Sequence, residues 1–372
     1  MKRSKIVYLT YQSFPANTAN SLQTISNIKY LVRKGIEVSL YFPLREKNST
    51  DDITKIQEFY NLKDSFKVFG VKHILPFGRT KAFKRISFYI SHFIWSWFVV
   101  NKYFKKRNMD NIFFTRSEWI SYFLAKKKCK VIFECHQTSK TKNFIIKHLK
   151  TNENVQFIFL NEELEKFYNV NQKQFKVIHN GVDSELFHDN IVQKKGQLIF
   201  VGNLSRFNET RDLDFLIDCY QKSDVLKKYQ LKIVGGPNRS AQALSEKIEQ
   251  NNLSKFITIE GRLGRQEAIK KIQMSEIGIL INSSKNLHSY LYTSPLKYFE
   301  YLYGGLKVVA VDFPSHKSLP FQENISFFNE KDIDSFIKAV QNTSKLLPYN
   351  KSKLEEITLT RRVEEIIKLY SN

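Results

Sequence analysis

Only three of the 372 residues are cysteine, and Cys129, Cys135 and Cys219 are scattered and without zinc-ligand spacing. That argues against a disulfide framework and for a reducing compartment. Acidic residues are scarce in the first half. Residues 1–176 hold 13 Asp and Glu against 32 Lys and Arg, a net charge of +19, while the remainder holds 23 against 27, a net of +4. The apolar run Ile86–Val100 has 15 residues, short of the roughly 20 a bilayer-spanning helix needs. The run after Lys5 is too short for a signal peptide and reads as a first buried strand. The chain has no internal repeat, no low-complexity tract, no Walker-type phosphate loop and no nucleic-acid reader motif. It also lacks an Asp-x-Asp pair in a suitable place, since Asp51-Asp52 stands in a polar loop.

What is present is a globular composition, 42% hydrophobic and 26% charged, at a length that usually means two domains. Candidate strands in the first half are Lys5–Thr10, Glu37–Phe42, Asn111–Thr115, Lys130–Glu134, Gln156–Leu160 and Phe175–Ile178. In the second they are Gln197–Val201, Gln230–Val234, Phe256–Glu260, Ile277–Ile281 and Lys307–Val311. Most are continuous apolar runs, the pattern of strands buried on both faces of a parallel sheet. Helical patterns lie between them, as at Ser21–Lys34, Asp212–Lys222, Ala241–Asn251 and Gln266–Ser275. The expected fold is therefore α/β, two doubly wound sheets with right-handed crossovers. The turn at His179-Asn180-Gly181 is the expected boundary. Residues 1–178 would form the first domain, 179–355 the second, and 356–372 a terminal helix packing back on the first.

The richest stretch is Ser294-Pro295-Leu296-Lys297-Tyr298-Phe299-Glu300, followed by Gly304-Gly305 and the strand from Leu306. Pro295 suits a first helical turn, and a helix starting there presents free N–H groups to an anion. Glu300 lies one to two turns further in, where its carboxylate can accept hydrogen bonds from a ribose diol. The alternative is an ordinary surface glutamate on an amphipathic helix. Arg206 and Arg211 follow the strand Gln197–Val201 and could meet a diphosphate; the alternative is two solvated loop arginines. His136 follows the strand Lys130–Glu134, whereas His73, His92, His148 and His188 lack such placement. The segment Arg79–Arg107 is basic, aromatic, then basic. It reads as a buried helix before Asn111–Thr115 or as an interfacial helix with aromatic residues inserted among lipid headgroups.

In collinear order, six segments resemble the retaining glycosyltransferases of the GT-B fold, the large family-four group. They are Phe14-Pro15-Ala16-Asn17-Thr18-Ala19-Asn20, Ile112–Ser117 ending in Thr115-Arg116-Ser117, Glu134-Cys135-His136, His179–Asp183 with Phe187, Phe200–Ser205, and Ser294–Gly305. The resemblance spans roughly residues 5 to 311. It implies two facing Rossmann-like domains with a cleft, and sugar transfer from a nucleoside diphosphate sugar to a hydroxyl with retention. It implies His136, Arg206 and Arg211 as catalytic residues. Gly202, Arg262, Leu263, Ser294, Pro295, Leu296 and Glu300 would bind the donor, and Asn17, Thr18 and Arg116 would form an acceptor or phosphate loop. No metal and no cofactor beyond the co-substrate is expected, because arginines and helix N-termini would neutralise the diphosphate.

Three positions depart from the family pattern. Tyr292 stands where a second Glu is usual, Asn17-Thr18-Ala19 replaces the Gly-Gly of the first loop, and Asn203 replaces an Arg. The charge split points to a lipid-linked, anionic glycan acceptor at the inner membrane face, with the enzyme cytoplasmic and peripheral on an anionic surface. Surface-polysaccharide or lipopolysaccharide assembly fits that placement, and nucleic acid is not an expected partner. Two other readings stay open: a basic nucleic-acid-binding protein, and a GT-B-like subunit that binds without catalysing.

Overall fold

A computed structural model describes residues 5–73, 75, 84–104, 111–206, 209–347 and 351–371. The chain divides into two compact units, residues 1–178 with 363–372, and residues 179–362.

The first unit alternates β1 (Lys5–Leu9), α1 (Ala19–Arg33), β2 (Glu37–Leu44), α2 (Ile53–Tyr60), β3 (Lys67–Lys72), α3 (Lys84–Tyr103), β4 (Ile112–Thr115), α4 (Glu118–Lys126), β5 (Lys130–Cys135), α5 (Lys140–Leu149), β6 (Val155–Phe159), α6 (Glu162–Tyr168) and β7 (Phe175–Val177). Its sheet runs β3-β2-β1-β4-β5-β6-β7 with parallel neighbours. The central strands are buried along their lengths, as in Ile112–Thr115 and in Val131–Cys135 of β5. Short polar residues start the helices. The Thr18 hydroxyl accepts from Ser21 N, Ser117 from Ile120 N, and Ser139 from Lys142 N, which satisfies donors that a helix N-terminus otherwise leaves open.

The second unit contains β8 (Gln197–Val201), a two-stranded ribbon of β9 (Ser205–Arg206) and β10 (Glu209–Thr210), then α7 (Leu213–Lys222), β11 (Gln230–Val234), α8 (Asn238–Gln250), β12 (Ile257–Glu260), α9 (Arg265–Gln273), β13 (Ile277–Leu280), α10 (Leu296–Tyr303), β14 (Lys307–Val311), α11 (Pro314–Lys317), β15 (Ile325–Phe328) and α12 (Ile333–Asn342). Its parallel sheet runs β12-β11-β8-β13-β14-β15. The last helix, α13 (Leu359–Ser371), starts in this unit, where Leu359 N donates to Val182 O at 2.8 Å. It ends in the first, where Lys34 Nζ lies 2.6 Å from Glu364 Oε1 and Lys176 pairs with Glu365.

Four strands escape sequence reading: β3, β15 and the two-residue β9 and β10 of the ribbon. β3 and β15 lie at sheet edges. An edge strand needs no continuous apolar run, because one side of it meets no partner strand. Only Val71 of β3 is buried, and Ser326 interrupts β15. Pro295, expected inside a first helical turn, stands just outside α10 as its N-cap residue.

Among the described residues no helix is long and apolar enough to cross a membrane. α3 is buried along one side and exposed along the other. Ser91, His92, Trp95, Ser96, Val99 and Val100 are buried, while Ile86, Ile90, Phe93 and Trp97 are exposed. The flanking Arg79, Lys81, Lys105, Lys106 and Arg107 lie outside the described residues, as do the side chains of Lys84 and Arg85.

Candidate functional site

In the second sheet β8 is the first strand, and the chain leaves it toward β11 on one side and returns to β13 on the other. Ligands of doubly wound sheets bind outside the carboxyl ends of the strands at such a switch point. Gly202 follows β8 there, and its N–H donates to Val234 O at 2.9 Å. The next loop is equally close: a Cβ at Gly235 would stand 1.8 Å from Gly202 O. Two backbones therefore meet where no side chain fits. Gly235→Ala should destabilise the protein by about 1–3 kcal/mol, the usual cost of overpacking. A melting temperature equal to wild type would show that the loops separate freely.

Arg211 is brought back to this edge by the ribbon β9–β10, and its N–H donates to Leu204 O at 3.2 Å. Its guanidinium lies against Gly202, since a Cβ there would be 3.4 Å from Arg211 Nη1. Arg206 ends β9, and its side chain lies outside the described residues. Arg262 follows β12 and reaches Asn203, donating from Nη2 to Oδ1 at 3.2 Å. Leu263 is half-buried beside it.

Glu300 is a buried residue, which corrects the surface-glutamate alternative. Burial alone would raise its pKa, but Lys297 and Arg265 together hold the carboxyl below its usual range. Lys297 Nζ is 2.6 Å from Oε2, and Arg265 Nη2 is 3.3 Å from Oε1. Glu300 is thus a desolvated carboxylate at neutral pH, held by two partly exposed cations. The adjacent Tyr301 locks α10 to the switch point. Its hydroxyl accepts from Val201 N at 3.0 Å, and a Cβ at Gly278 would collide with its ring at 2.3 Å. Ser294 is fixed from the other side: its Oγ accepts from Asn180 N at 3.2 Å and its carbonyl from Asn180 Nδ2 at 2.5 Å. Pro295 and Leu296 are half-buried next to it, and Tyr292 is buried. Arg265 was not found from the sequence, because nothing local distinguishes it from any basic residue at a helix start.

The switch point of the first sheet lies between β1 and β4. Asn17 and Thr18 are exposed after β1, with the Thr18 hydroxyl engaged as a helix cap. Arg116, after β4, donates from Nη2 to Glu134 Oε1 at 3.2 Å and from Nη1 to Gln23 Oε1 at 3.1 Å. His136, after β5, donates from Nε2 to the same Glu134 oxygen at 2.5 Å. Glu134 has no exposed surface, so one buried carboxylate orients both His136 and Arg116.

His73 and His92, set aside on sequence, belong to a buried polar cluster at this edge. The Tyr11 hydroxyl lies 2.8 Å from His73 Nε2 and 2.6 Å from Ser91 Oγ, and His92 Nε2 lies 2.6 Å from Ser117 Oγ. Burial pushes His92 down to about 4. In the second unit His316, whose Nδ1–H donates to Val311 O at 2.8 Å, is pushed by burial to about 4 as well. Unfolding restores an ordinary histidine near 6.5, so the unfolded chain binds more protons as pH falls from 6.5 to 4. Each buried ring should cost on the order of 3 kcal/mol of stability across that window. Melting temperature is expected to fall steadily through it, and His316→Gln should remove that residue's share. A flat profile in wild type would contradict the neutral, buried assignment.

Two parallel-sheet α/β units, with polar and charged side chains gathered at the switch points, make this the GT-B fold. Among solved structures the chain is similar to sucrose-phosphate synthase from Thermosynechococcus elongatus, at TM-score 0.69 and 14% identity over 99% of this chain and 98% of that one. It is similar to a glycosyltransferase from Rickettsia africae, at TM-score 0.67 and 13% identity over 100% and 98%. It is also similar to Anabaena HepE in complex with UDP and glucose, at TM-score 0.66 and 13% identity over 99% and 100%. No protein-family model matches the chain, and no curated protein matches its sequence. Among the described residues no three His, Cys, Asp or Glu side chains converge as a metal site would require.

Proposed function

We propose that this chain is a glycosyltransferase that moves a sugar from a nucleoside diphosphate sugar to a hydroxyl acceptor, with retention and without a metal. The observation that carries the reading is the buried Glu300 carboxylate on α10, whose neighbour Tyr301 accepts from Val201 N at the end of β8, one residue before Gly202. In this reading Glu300 accepts from the ribose diol. Gly202, Arg262, Leu263, Ser294, Pro295 and Leu296 shape the donor site, and Arg211 with Arg206 meets the diphosphate. His136 contacts the transferred sugar or its phosphate, and Asn17, Thr18 and Arg116 serve the acceptor or phosphate loop. The bond from the anomeric carbon to the diphosphate breaks, and a bond to the acceptor oxygen forms. The acceptor's proton passes to the departing diphosphate, whose growing charge the arginines stabilise. HepE has been seen with UDP-glucose, which makes uridine diphosphate sugars the first donors to test. The basic first half supports a lipid-linked anionic glycan acceptor at the inner membrane face, in surface-polysaccharide or lipopolysaccharide assembly.

A thermal-shift screen of nucleoside diphosphate sugars tests the donor claim. A donor at 100 times its Kd stabilises the native state by about 2.7 kcal/mol, a readily measured shift. No shift with any nucleotide or nucleotide sugar would overturn the reading. A shift without transfer or hydrolysis would identify a binding subunit instead.

A further inference from the structure

The face of α3 that points away from the core has the wrong chemistry for water. No Lys, Arg, Asp or Glu occurs between Arg85 and Lys102. The exposed positions form a stripe at helical spacing, Ile86 at 57%, Ile90 at 49%, Phe93 at 39% and Trp97 at 52% exposed. A helix packed on a sheet ordinarily presents polar residues there. The apolar surface continues onto α4, where the rings of Trp119 and Phe123 lie 4.7 and 5.5 Å from that of Phe93.

The charge around this face has one sign. Residues 84–150 hold 15 Lys and Arg against 3 Asp and Glu. Of the three acids, Glu118 is buried against Lys142 at 2.8 Å and Glu134 against Arg116 and His136; Asp110 lies outside the described residues. Lysines border the aromatic surface, with Lys126 Nζ 4.6 Å from the Tyr122 ring centre and Lys102 Nζ 5.1 Å from that of Phe98. An interfacial helix places aliphatic and aromatic side chains at the headgroup–acyl boundary while ammonium groups meet anionic headgroups.

We propose that α3 lies in the plane of an anionic bilayer with Ile86, Ile90, Phe93 and Trp97 inserted below the headgroups. This deepens the membrane-surface reading above, and its test separates the two, because docking by charge can hold while insertion fails.

The full chain is mixed with phosphatidylcholine vesicles with and without phosphatidylglycerol, some with brominated acyl chains. Wild type should bind only the anionic vesicles, with tryptophan emission quenched by the bromine. Salt should weaken binding by screening exposed charges beyond about 8 Å at physiological ionic strength, without releasing the inserted fraction. Ile86→Ser/Ile90→Ser/Trp97→Ser should lower partitioning by about tenfold or more and abolish quenching, while keeping the wild-type melting temperature. If that triple variant does not fold, Trp97→Phe in the otherwise wild-type chain should lose the share of quenching that Trp97 contributes and leave only that of the half-buried Trp119, since Trp95 is buried. Bound wild type with unquenched tryptophan, or a folded triple variant that partitions like wild type, would overturn insertion and leave electrostatic docking. Self-association without vesicles that the triple variant abolishes would overturn it too, by assigning the stripe to a second copy of the chain.

Discussion

Arg211→Ala is expected to slow the chemical step by about 10²–10³, or 2.7–4 kcal/mol, while binding of the free nucleoside changes little. The expectation rests on where the residue stands. Arg211 is half-buried and its guanidinium lies against Gly202, at the end of the first strand of the second sheet. A diphosphate at that strand end gains charge as its glycosidic bond breaks, so a fixed cation there acts more strongly on the transition state than on the ground state. Arg211→Lys keeps the charge but loses the planar fork and should fall between the two. Single-turnover rates with a saturating donor, beside nucleoside affinities, make the distinction. Small and equal losses in both would show an ordinary loop arginine, and the same pair of measurements on Arg206→Ala assigns that residue.

Glu300→Gln should reduce kcat/KM by about ten- to more than a hundredfold, the worth of about 1.5–3 kcal/mol in charge-assisted hydrogen bonds. A second effect comes with it. The carboxylate is buried between Lys297 and Arg265, and a neutral amide leaves those cations without their counter-charge. Some loss of melting temperature is therefore expected, limited because both cations are partly exposed and can turn to water. Arg265→Gln separates the contributions, since it disturbs the same buried pair and spares the carboxylate. Glu300→Gln should weaken the donor more than Arg265→Gln at equal melting temperature. Unchanged donor affinity and rate in Glu300→Gln would assign Glu300 to holding α9 and α10 together.

The two-sheet architecture was legible because the central strands are buried on both faces. β1, β4, β5 and β8 announce themselves as continuous apolar runs. β3 left no such run, since only Val71 of it is buried, and Ser326 interrupts that of β15. α3 was legible as an apolar helix but not as a two-faced one. Its exposed stripe is apolar while its buried one mixes Trp95, Val99 and Val100 with Ser91, His92 and Ser96, so the polar positions of the pattern do not mark the solvent side.

For the candidate site, the sequence alone determined the residue types and their order. A glutamate stands on a helix after Ser294-Pro295, an arginine lies past the first strand of the second half, and Glu134 and His136 are two residues apart. Only the tertiary structure decided what these groups face. It placed Arg265 and Lys297 on Glu300 and used Glu134 to hold both Arg116 and His136. It also buried His92, which sequence had set aside, against Ser117. The physical reason is that local sequence specifies backbone conformation and burial through short-range sterics and hydrophobic periodicity. The ionisation and orientation of a side chain depend instead on groups that distant segments bring within a few ångströms, and those distances exist only once the sheets have formed.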